Sequence, residues 1–259
     1  MTDWNLLLLV STFAASVALL SFMFSLRTQQ YKTTSYLTHL LGRQYGFVRT
    51  KFVVRYVIGE DGSAQVSYNE AFVATNEELL GIEHWTRVST DPTLTRDFRL
   101  EIKSGAKQKT EIIPRPTLVT PTKLFYQLLF SPPLQPRESV EYSYYIYGPP
   151  GMFLLSPQQV QARGLPFDYV SMEIAYPTNR LEMEFVFPPN IYVERLEQDV
   201  WLGDGRLRLK KEYNRLEKEG AKRLERQGET LVARLTVDYP ILGLKYAITW
   251  TPVQRSQEH

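Results

Sequence analysis

The chain has 259 residues, 43% of them hydrophobic and 13% aromatic, with 30 basic side chains against 28 acidic ones. That composition excludes a disordered or collagenous chain, and a net charge of +2 lacks the basic excess of a duplex-tracking surface, so no nucleic-acid partner is expected. Cysteine is absent, which removes disulfides, thiolate metal sites and cysteine nucleophiles together.

After 1–3, expected to be a short outer tail, residues 4–26 form an uncharged run from Trp4 to Leu26. At a rise of about 1.5 Å per residue, a helix of that length crosses a hydrocarbon core of about 30 Å. A cleaved signal peptide would carry a basic leading region and a small-residue cleavage site, whereas Asp3 stands before the run and no A-x-A sequence closes it. The expectation is one uncleaved transmembrane helix in contact with membrane lipid. Arg27, Lys32, Arg43, Arg49 and Lys51 follow it with no acid before Glu60, which places the large domain in the cytoplasm. The absence of cysteine and of any N-x-S/T sequon agrees with that side. Within the run, Ser11, Ala14, Ala18, Ser21 and Ser25 recur at alternating spacings of three and four, a small-residue stripe suited to helix association and hence to a homo-oligomer.

Residues 27–47 read as a juxtamembrane connector. Tyr36, Leu37, Leu40 and Leu41 make one apolar helical face, and Tyr31, Tyr45, Lys32 and Arg43 suit the headgroup layer; the same stretch reads equally as the first helix of the domain.

From 48 to 253 the periodicity becomes that of strands. Phe52, Val54, Tyr56 and Ile58 alternate, Glu60-Asp61-Gly62 supplies a tight turn, and 65–74 resumes the extended pattern. Further strands are expected at 97–103, 124–130 and 140–147, with Pro132-Pro133 and Pro149-Pro150 as breaks, then at 169–176, 181–187, 231–237 and 244–250, after a short helical stretch at 157–163. The expected class is all-β, a β-sandwich or barrel-like domain. One exception is 206–226, where nine basic residues meet four glutamates and Leu209, Tyr213, Leu216 and Leu224 recur at near-helical spacing, so a charged amphipathic helix is expected, although 206–213 also alternates as a strand would. Its Lys210, Lys211, Arg215 and Lys218 are candidates for contact with a membrane surface or a charged partner. Residues 254–259 are expected to be a flexible tail.

The signals for chemistry are sparse. The three histidines, at 39, 84 and 259, show no metal-ligand spacing, and no phosphate-binding glycine loop or G-x-S-x-G elbow occurs. Glu182 and Glu184 alternate with Leu181, Met183 and Phe185, which makes them a solvated strand face. Tyr142, Tyr144, Tyr145 and Tyr147, with Tyr246 and Trp250, read as β-core filling or as the wall of a small-molecule pocket. Neither catalysis, a cofactor nor a metal is expected. The expected function is a single-pass, membrane-anchored recognition and signalling module whose β-domain binds a protein partner or small ligand. The alternative is a ligand-gated membrane effector of the antiphage kind, sensing a nucleotide signal and oligomerising through its span, an analogy of architecture alone.

Overall fold

The computed structural model describes residues 35–87, 99–104, 109–119, 123–154, 156–162, 164, 167–189, 192–203 and 207–253, together with Ser16 and Ser21, which are helical. The rest of the expected span at 4–26 and the tails at 1–3 and 254–259 lie outside the described residues. Among those described, no helix is long and apolar enough to cross a membrane.

Alternating apolar residues build most of the chain into strands, an all-β fold. In chain order they are β1 (Phe47–Ile58), β2 (Ala64–Ala74), β3 (Leu79–Arg87), β4 (Arg99–Ser104), β5 (Glu111–Val119), β6 (Lys123–Leu134), β7 (Ser139–Gly148), β8 (Asp168–Glu173), β9 (Arg180–Val186), β10 (Tyr192–Leu202), β11 (Leu207–Arg208), β12 (Lys222–Gln227), β13 (Thr230–Asp238) and β14 (Leu244–Val253). Residues 35–45 form helix α1, and two further helices are α2 (Pro157–Ala162) and α3 (Lys210–Glu219). A seven-stranded sheet runs β12-β13-β9-β1-β2-β7-β4, a four-stranded sheet runs β11-β10-β14-β8, and a three-stranded sheet runs β3-β6-β5. β1 and β9 pair in parallel; the other ladders are antiparallel.

Both smaller sheets lie against one face of the large one. At one side Phe185 of β9 packs against Trp250 of β14 with ring centroids 4.7 Å apart; at the other, Tyr126 of β6 meets Tyr144 of β7 edge-on at 5.8 Å. The inward residues of each strand are those the alternation marks: Phe52, Val54, Tyr56 and Ile58 are buried, as are Leu181, Met183 and Phe185. The opposite face carries charges in cross-strand register, Arg55–Glu184 at 2.6 Å, Glu184–Arg234 at 2.7 Å and Arg234–Glu225 at 2.8 Å. Glu184 therefore lies on the outward face of β9, as its alternation with apolar neighbours predicts.

Three differences from the sequence reading have physical causes. β6 continues through Pro132-Pro133, and β5 contains Pro114 and Pro116; β5 is an edge strand, where a missing N–H need interrupt no second ladder. The charged segment at 206–226 is not one helix. α3 stops at Gly220, which takes the left-handed conformation (φ 61°, ψ 39°) that glycine adopts at little cost, and the chain then turns into β12. Leu224 consequently points into solvent from a strand rather than extending the helix's apolar face.

The linkers 174–179 and 239–243 join strand ends at one pole of the domain. Arg49 N–H donates to Pro177 O at 2.8 Å, Asn179 N–H to Arg49 O at 2.8 Å, Tyr239 N–H to Asn179 O at 2.6 Å and Gly243 N–H to Ile174 O at 2.8 Å. α1 is fastened to the same pole. The Thr75 hydroxyl caps the Gly42 carbonyl at 3.0 Å and the Asn76 amide caps that of Arg43 at 3.3 Å, satisfying carbonyls that a helix end leaves orphaned. Gly42 lies so close to β1 that an added Cβ would stand 2.1 Å from Val48 Cγ2, a stiff and buried neighbour. Gly42→Ala is accordingly expected to cost about 1–3 kcal/mol and to speed amide exchange across 35–45; unchanged exchange would show that the helix is not held there. The opposite pole is closed by the β1–β2 turn, where Phe153 N–H donates to Gly62 O at 2.9 Å and Gly62 has φ +76°.

Candidate functional site

A buried ion pair lies between the seven- and three-stranded sheets. Arg49 Nε stands 3.0 Å from Glu70 Oε2, with the two side chains 3% and 0% exposed. The N–H is not aimed along that line, so the contact is ionic rather than a well-aligned hydrogen bond. Charges this deep persist only when paired and solvated by protein dipoles or rings. Here the Arg49 guanidinium lies 4.0 Å from the centroid of Phe52, 5.3 Å from Phe72 and 5.4 Å from Tyr176, and the Tyr144 hydroxyl donates to Glu70 Oε1 at 3.0 Å. Tyr68 stacks on Tyr144 at 4.4 Å, and Phe72 on Tyr142 at 5.9 Å.

Desolvation pushes the phenols of Tyr126, Tyr142 and Tyr144 well above their ordinary value, and the Glu70 charge adds to the shift. The Tyr176 hydroxyl donates to the Glu83 carbonyl, tying the three-stranded sheet to the linker 174–179. These groups hold sheets together; they do not present a nucleophile or base to solvent.

Arg49 and Glu70 were not legible as partners. Glu70 did carry a signal, since it falls between Tyr68 and Phe72 on the buried face of β2. Arg49 did not, because the register shift between Arg49 and Lys51 changes the parity of β1, so that Arg49 and Phe52 both face inward.

A second polar cluster anchors α3, and here the residues singled out from sequence part company. Lys210, Lys211 and Lys218 are exposed. Arg215 is not a free surface cation: its fork grips Glu212 with Nε at 2.8 Å and Nη2 at 2.5 Å, and Nη1 reaches Glu219 at 3.0 Å. Glu212 is buried and also accepts the Tyr246 hydroxyl at 2.8 Å, which in turn accepts the Ile241 N–H at 2.8 Å. Burial, then the Glu212 charge, pushes the Tyr246 phenol upward.

Arg215 is half-buried, and its charge is engaged by Glu212 and Glu219 in docking the helix. Arg215→Ala is expected to destabilise the fold by about 2 kcal/mol, because it strands Glu212, while Lys211→Ala should change stability by less than about 0.5 kcal/mol. Thermal unfolding of the two variants checks the contrast.

Of the small stripe, Ser21 is helical and exposed, while Ser11, Ala14, Ala18 and Ser25 lie outside the described residues. The side chain of His84 also lies outside them. Among the described residues no group of three or more His, Asp or Glu side chains is placed to hold a metal. Tyr142 and Tyr144 point into the core, whereas Tyr145 is half-buried and Tyr147 exposed.

No family model and no curated protein matches the chain. A solved structure described as a "putative protease" from Parabacteroides distasonis is similar to it at 11% identity and a TM-score of 0.46, over 80% of this chain and 40% of that one. The chain thus spans less than half of that neighbour's length.

Proposed function

We propose that the protein is a single-pass, membrane-anchored recognition module. Residues 4–26 serve as the anchor, and a β-sandwich, the seven-stranded sheet covered on one face by the two smaller ones, binds a protein partner or small ligand on the cytoplasmic side. The observation that carries this reading is the fastening of α1: a helix separated from the apolar run by eight residues is bound to the β-domain through Gly42, Thr75 and Asn76, so the domain is held close in sequence to the anchor. The buried charges agree with a scaffold role, since Arg49 and Glu70 join β1 to β2, Glu212 accepts from Tyr246 of β14, and Asp168 accepts from the Leu154 N–H. Such a tether works by mass action, raising the domain's effective concentration near partners at the same membrane.

Native mass spectrometry of the full-length protein, extracted from membranes in mild detergent, tests the proposal. A mass above the monomer that corresponds to one added protein or ligand is the expected result. A homo-oligomer retaining a nucleotide-sized mass would replace this reading with the gated effector, and recovery of the chain outside the membrane fraction would remove the anchor.

A further inference from the structure

A helix on the surface of a water-soluble domain turns its large apolar residues toward the core. α1 is inverted. Thr38 and Gly42 face the protein, whereas Tyr36, Leu37 and Leu40 are 68%, 47% and 50% exposed. At helical spacing those three lie within an arc of about 100° on the side opposite Thr38 and Gly42.

A second apolar projection stands at the same pole. Leu202 pairs with Leu244, the residue whose carbonyl accepts from Ile174, so the β10–β11 hairpin opens toward the α1 end. Its paired residues Leu202 and Leu207 are 49% and 63% exposed, and the exposed Lys210 and Lys211 follow at the start of α3.

We propose that this pole rests on an anionic lipid surface, with Tyr36, Leu37 and Leu40 in the interfacial layer and the Leu202–Leu207 hairpin as a second point of contact. The inference rests on the anchor reading and adds the orientation of the domain. Lipid is the occupant favoured by chain length and charge. Residues 27–34 separate the uncharged run from α1, and even fully extended they span no more than about 30 Å. Arg27 and Lys32 lie within that interval, and Lys210 and Lys211 carry the charge that acidic headgroups attract. Two contacts at one pole hold the domain upright, which leaves the opposite pole, around the β1–β2 turn, turned away from the membrane.

The absence of native cysteine makes single-cysteine labelling clean. Full-length chains carrying a fluorophore at Leu37→Cys, Leu207→Cys, Ala14→Cys or Glu60→Cys are reconstituted into phosphatidylcholine–phosphatidylglycerol vesicles with brominated acyl chains. Labels at 37, 207 and 14 are expected to lose most of their emission relative to unbrominated vesicles, and the label at 60 to keep its own. Tyr36→Cys and Leu40→Cys repeat the measurement if the label at 37 perturbs folding. Quenching at 14 without quenching at 37 and 207 overturns the inference while leaving the anchor; no quenching at 14 overturns the anchor as well. Labels at 37 and 40 shielded from both lipid and aqueous quenchers would mean that protein covers the helix, and would also overturn it.

Discussion

Replacing Arg49 with methionine is expected to destabilise the protein by about 3–5 kcal/mol, the usual cost of leaving one member of a buried ion pair behind. Glu70 is wholly enclosed, and Tyr144 supplies it with a hydrogen bond but no counter-charge. Methionine fills much of the arginine's volume and keeps contact with the rings of Phe52 and Phe72, so packing loss contributes little and the stranded carboxylate dominates. Arg49→Met combined with Glu70→Gln separates the two causes. The amide oxygen still accepts from Tyr144 and no charge remains, so the double variant is expected to recover a large part of the loss. Urea unfolding of the full-length chain in mild detergent, followed by tryptophan fluorescence, reads the difference through the buried Trp201 and Trp250. Equal midpoints for the single and double variants would show that the charge is not what the pair neutralises.

That pair also marks where sequence reasoning reached its limit. Strand faces were legible because burial follows a period of two: Val140, Tyr142, Tyr144 and Ile146 all point inward, as do Leu244, Tyr246, Ile248 and Trp250. Strand edges were less so. β5 was hidden by its prolines and β3 by its two opening leucines, which break alternation, with Leu80 63% exposed. The bulge at the start of β1 defeated the reading of Arg49, since a single inserted residue reverses every inside–outside assignment before it.

α3 failed in the opposite sense. The helical spacing holds for Leu209, Tyr213 and Leu216 but not for Leu224, and only tertiary structure reveals that Glu212 is buried beneath Arg215 and takes its charge. The apolar stripe of α1 was visible at Tyr36, Leu37, Leu40 and Leu41, of which the first three are exposed and Leu41 is half-buried. Which side of the helix met the domain depended on Gly42 approaching Val48, a contact that periodicity does not encode.

Alkaline pH is expected to unfold the protein cooperatively, and the aromatic interior is the reason. Tyr56, Tyr126, Tyr142 and Tyr144 are buried, and desolvation raises each phenol well above its ordinary value of 10.0. In the unfolded chain the same phenols ionise at about 10. Below that pH both states hold the proton and these groups contribute their full share of stability. Above it the unfolded chain releases protons that the folded chain retains, so stability falls until pH reaches the folded values. Each tyrosine then costs about 1.4 kcal/mol per pH unit, and four together remove roughly 5 kcal/mol per unit, comparable with the whole stability of many domains. Tyrosinate absorbance from these four should emerge together with the loss of near-ultraviolet dichroism. Tyr142→Phe deletes one ionisable group from the interior and should make the fall of stability with pH shallower by one proton. Tyrosinate that forms in these positions while the dichroism is retained would mean that the interior between the sheets admits water.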